Sequence, residues 1–60
     1  MKIPQIGTQW KHKSGKLYEV VIVTNEQATK ADYPITVVYK DSEGYIWSRT
    51  LDKWQEMEQV

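Results

Sequence analysis

Sixty residues, no cysteine, and eight basic against eight acidic side chains set firm bounds on this chain. Disulfides and thiolate metal sites are excluded, and the single His12 cannot build a histidine cluster. Zero net charge also counts against a free-standing nucleic-acid binder, whose affinity rests on a basic excess.

One domain spanning residues 1–60 is the expected organisation, near the lower size limit at which a chain folds unaided. Stability must then come from packing, with three Trp and four Tyr as the main source of apolar area. The start Met1-Lys2-Ile3-Pro4 lacks the apolar stretch of a signal peptide, and no run approaches eighteen apolar residues. A cytoplasmic location is the resulting expectation.

In chain order, residues 1–6 read as a lead-in, and Thr8 to His12 alternates as a first strand. Leu17 to Thr24 is rich in Val and Ile and is the strongest strand signal. A long polar loop covers residues 25–34, followed by a strand from Ile35 to Lys40. Asp41-Ser42-Glu43-Gly44 forms a turn, and Tyr45 to Thr50 a fourth strand. In the tail, Leu51, Trp54 and Met57 lie three apart, which predicts a helical turn before a short last strand.

Gly15 and Gly44 each sit where a three-residue hairpin loop needs the left-handed conformation. That rule pairs His12 with Lys16, Trp10 with Tyr18 and Thr8 with Val20 in the first hairpin. In the second it pairs Asp41 with Tyr45, Tyr39 with Trp47 and Val37 with Arg49. A two-residue Ser14-Gly15 turn would instead set Trp10 beside Glu19, and the longer loop is favoured because it gathers more aromatic area on one face. The core expected from these registers is Trp10, Tyr18, Val20, Ile22, Val37, Tyr39 and Trp47, with Gly15 and Gly44 as structural turn residues. The Leu17–Thr24 strand is apolar on both faces from Val20 to Val23, as a strand covered twice would be. The predicted fold is therefore all-β, a small SH3-like antiparallel barrel of four to five strands with a short C-terminal helical turn.

The chain also resembles a bacterial and phage family of small domains, domain-of-unknown-function family 1653. The resemblance rests on Gly7, Trp10, His12, Gly15, Tyr18, Val20, Val37-Val38-Tyr39, Trp47, Arg49 and Trp54, and covers residues 7–54. The chain departs from the family pattern at Asn25-Glu26-Gln27-Ala28-Thr29 and at Thr50, where the family has an acidic-threonine stretch and a proline. The resemblance implies a fold and a phage or prophage setting, and brings no activity with it.

No catalytic residue, cofactor or metal site is expected. His12 is the sole conventional general base, and neither Ser14 nor Ser48 has the setting of a nucleophile. Asp52, Glu56 and Glu58 lack metal-loop spacing and read as solvated tail charges. Trp47 and Arg49 admit two readings. Facing inward, Trp47 is the core centre and Arg49 closes the edge over Glu56 or the C-terminal carboxylate; facing outward, they form an aromatic plate beside a guanidinium. Lys11, Lys13 and Lys16 cluster at the first turn and read as edge protection. A long loop in so short a chain points to function. The chain is thus expected to be a non-catalytic interaction module for a protein or peptide, with Glu26, Lys30, Asp32, Tyr33, Arg49 and Trp54 as contacts. Single-stranded nucleic-acid binding by aromatic stacking and assembly as a homodimer or larger homo-oligomer are the rival readings.

Overall fold

The structure is a computed structural model that describes residues 2–60; of the expected lead-in, Met1 falls outside the described residues. Five strands and one helical turn follow in the order β1 (Gln9–Lys11), β2 (Leu17–Thr24), β3 (Thr36–Lys40), β4 (Ile46–Thr50), α1 (Leu51–Trp54) and β5 (Glu58–Gln59). They form one antiparallel sheet in the spatial order β4-β3-β2-β1-β5. The expected mostly-β fold is present. The sheet is open, however, with β4 and β5 as its two edges, so its closure into a barrel is not shown.

Both hairpins adopt the expected registers. Trp10 pairs with Tyr18 across β1 and β2, and Tyr39 with Trp47 across β3 and β4. The loops close as three-residue turns, with Gly15 N–H on the His12 carbonyl at 2.8 Å and Gly44 N–H on that of Asp41 at 3.1 Å. Gly15 and Gly44 hold φ of 93° and 88°, which a residue with a Cβ adopts only under strain. Lys11 does not protect an edge: β1 is paired on both sides, by β2 and β5.

A bulge between Val20 and Ile22 explains why β2 is apolar on both faces. Val20 pairs with Tyr39, but the next pairs are Ile22 with Val38 and Val23 with Val37. The extra residue shifts the alternation by one step, so Val20 and Val23 both face inward. Ile22, expected in the core, is turned out and 47% exposed, and Val23 takes its place against the core.

The core consists of Val20, Val37, Tyr39, Leu51, Trp54 and Met57, with Trp10, Tyr18, Val23 and Ile35 packed around it. Leu51 begins α1, anchored by its N–H on the Ile35 carbonyl at 2.8 Å. Three-residue spacing then brings Leu51, Trp54 and Met57 onto the sheet together. Trp54 meets the edge of Trp10 at 5.4 Å and Tyr39 at 5.0 Å between ring centres, and Tyr39 meets Tyr18 at 5.1 Å. These separations suit the ring quadrupoles.

The two C-terminal tryptophans thus exchange their expected places. Trp54, expected as a partner contact, is 1% exposed and central to the core. Trp47, expected at the core centre, is 52% exposed. The reason is topological. Trp47 stands on the same face as Tyr39, but β4 is an edge strand, and Trp54 packs inward on Tyr39 of β3 and Trp10 of β1, leaving the Trp47 ring uncovered.

Candidate functional site

The turn from Asp41 to Tyr45 builds the most distinctive surface of the molecule. One carboxylate oxygen of Asp41, Oδ1, accepts the N–H groups of Glu43 at 2.9 Å and Tyr45 at 3.0 Å. The other, Oδ2, accepts the indole N–H of Trp47 at 3.0 Å. A single side chain therefore caps the turn and fixes the ring six residues on. The bond restrains an exposed ring and so lowers the entropy that it loses on contact.

The Trp47 indole N–H is the main influence holding the Asp41 carboxyl below its ordinary value of 3.8, opposed by partial desolvation and assisted by backbone donors of Tyr45, Glu43 and Gly44. A depressed folded-state value means that the stabilisation is present above 3.8 and is lost as pH falls through the lower folded value. An acid titration followed by NMR is expected to show the Trp47 indole N–H moving with the Asp41 carboxyl below pH 3.8, and not above it. Movement centred near neutral pH would contradict this latch.

Shallow grooves flank the ring. On one side lie Lys16, Leu17, Asp41, Ser42 and Tyr45; on the other lie Tyr39, Arg49, Thr50, Lys53 and Glu56. Tyr45 at 63% and Leu17 at 50% exposure extend the apolar lining of the first groove, while Ile46, 60% exposed, lies on the opposite face of β4. Arg49 leans over the second groove toward Glu56, at 3.6 Å, and Glu56 is also met by Lys13 at 3.7 Å. These are solvent-accessible pairs that orient side chains more than they stabilise the fold.

The expected contact residues do not form one surface. Glu26, Lys30, Asp32 and Tyr33 are exposed on the 25–34 loop, where Tyr33 is 58% accessible. The neck of this loop is clamped by Asn25, at φ 62°, whose side-chain amide donates to the Pro34 carbonyl at 3.0 Å, with Thr36 Oγ1 donating to the same carbonyl at 2.9 Å. The loop leaves one end of β3 and the Trp47 turn leaves the other, about 13 Å apart at four rises of ~3.3 Å. Arg49 lies between them and Trp54 is buried beneath. Sequence reasoning missed Asp41 and Tyr45 as parts of a site. The one signal for them was a carboxylate opening a tight turn just before an aromatic strand.

His12 Nδ1 lies 3.0 Å from Ser14 Oγ and accepts the Ser14 N–H at 3.2 Å. That is the geometry of a side chain capping its own turn, and among the described residues no carboxylate is paired with the ring. Among the described residues, no group of three or more His, Asp or Glu is placed to hold a metal ion, and no helix is long and apolar enough to cross a membrane. No family model, no curated protein and no solved structure matches this chain.

Proposed function

We propose that this chain is a small non-catalytic interaction module, of the phage or prophage type its family resemblance implies, and that it binds protein through the Trp47 face and the adjoining β4 strand. The observation that carries the reading is the fixed, half-exposed Trp47 held by Asp41 beside Tyr45 and Arg49. Trp, Tyr and Arg are the residue types that dominate binding energy at protein interfaces, and a ring already held in place loses little entropy on contact. We also propose an SH3-like frame, for which the strand order β4-β3-β2-β1-β5, the register shift in β2 and the helical turn between β4 and β5 speak.

The stacking of single-stranded nucleic acid is the weaker reading. Trp47 offers one plate, but the net charge is zero, and Lys13 and Lys40 each lie beside a carboxylate, Glu56 and Glu19, that offsets their charge. The test compares immobilised wild type, Trp47→Ala and Tyr33→Ala. Trp47→Ala is expected to stay folded, losing less than about 1 kcal/mol, and to lose the proteins that wild type captures from a cell lysate. Tyr33→Ala is expected to keep them. If Tyr33→Ala loses them and Trp47→Ala does not, the working surface is the loop. Strong binding of a labelled single-stranded oligonucleotide that fades steeply with salt would favour nucleic acid instead.

A further inference from the structure

We propose that the partner of the Trp47 face is a second copy of this chain, joined through antiparallel pairing of β4 with β4 about a two-fold axis at Ser48. The inference rests on the protein-binding reading above and names its partner.

The phase of the β3–β4 ladder shows which backbone groups are free. Leu51 N–H bonds the Ile35 carbonyl at 2.8 Å and Asp41 N–H bonds the Tyr45 carbonyl at 3.0 Å, so these two positions are hydrogen-bonded pairs. Antiparallel pairs alternate, so Val37–Arg49 and Tyr39–Trp47 are bonded as well. Ile46, Ser48 and Thr50 therefore direct their N–H groups away from β3, as do the carbonyls of Ile46 and Ser48. The Thr50 carbonyl turns into the start of α1.

Exposed edges of this kind are normally blunted by lysine, proline, bulges or brevity. The β5 edge is blunted, being two residues long with Glu58 in it. The β4 edge is longer and less protected: Ile46-Trp47-Ser48-Arg49-Thr50 is five residues without proline, lysine or bulge, with Arg49 as its one charge.

What selects a second copy over an unrelated strand is self-complementarity. Centred on Ser48, the two Ser48 residues exchange N–H and carbonyl bonds at the axis, and Thr50 N–H reaches the Ile46 carbonyl of the other copy on each side. In this register Trp47 stands directly opposite Arg49 of the other copy, twice, at the close spacing of a non-hydrogen-bonded pair. A guanidinium over an indole is a favourable contact. The Arg49–Glu56 pair is long and open to solvent on the Glu56 side, so Arg49 can turn to the indole at little cost. Ile46 meets Thr50, no like charges face each other, and zero net charge leaves no long-range repulsion between copies. Such an interface is isologous and closes as a dimer.

Sedimentation equilibrium from micromolar to millimolar concentration tests this. The mass is expected to rise from 7.1 kDa toward twice that value. Ser48→Pro removes the N–H at the axis but none that bonds β3, and is expected to remain monomeric throughout. Should that variant unfold, Ser48→Cys supplies an independent readout. The chain has no other cysteine, and a bonded pair across the axis lies within disulfide reach. Oxidation is expected to link Ser48→Cys on the order of tenfold or more faster than a Ser42→Cys control in the exposed turn. A monomer at every concentration, or equal linking rates for the two variants, would overturn the self-pairing. If that monomer still loses its captured protein on Trp47→Ala, the binding face stands and only its partner changes; if it captures nothing, both ideas fail.

Discussion

Trp54→Ala is expected to abolish folding. Removing a fully buried Trp costs about 3–5 kcal/mol, and a domain of this size has only some 3–5 kcal/mol in total. The loss is at the high end because Trp54 is 1% exposed and two other rings lean on it. Trp10 and Tyr39 would face a void that a short helical turn cannot collapse to fill. Its indole N–H is buried without a hydrogen-bond partner, so Trp54 is present for its shape and apolar area, not for a polar contact. Circular dichroism of the variant should show a coil spectrum at room temperature. A cooperative melt within a few degrees of wild type would mean that the ring is not central.

Tyr39→Ala is expected to be nearly as damaging. Tyr39 is 6% exposed, touches both Tyr18 and Trp54, and sits in β3 between Val20 and Trp47. Truncation removes one edge-on and one tilted ring contact as well as the buried area, for about 3–5 kcal/mol. Tyr39→Phe keeps the ring and should change urea stability by less than about 1 kcal/mol. If Tyr39→Phe costs as much as Tyr39→Ala, the hydroxyl and not the ring carries the stabilisation.

Much of the fold is written in local residue patterns. Gly15 and Gly44 fix both hairpin registers because a three-residue loop needs positive φ at one place only, and both registers are present. The three-residue spacing of Leu51, Trp54 and Met57 likewise marks α1 and the face it buries. What the residues do not announce is non-local. The bulge at Val20/Ile22 leaves no glycine or proline to betray it, so strict alternation placed Ile22 inside. Which strand ends at an edge depends on the whole sheet, and that alone decides that Trp47 faces solvent. The candidate site was less legible for the same reason. Arg49 and Trp47 stand out as a pair by their i, i+2 spacing, but Asp41 acquires its role only once the turn brings its carboxylate to the indole N–H.

Hydrogen exchange at the three indole N–H groups is the most direct check on this division of tryptophans between interior and surface. The Trp54 indole proton is expected to be the slowest, exchanging only through unfolding, and the Trp47 proton to exchange orders of magnitude faster, through local opening of its bond to Asp41. The reverse order, with Trp47 protected and Trp54 fast, would place the working face inside the core and contradict the account.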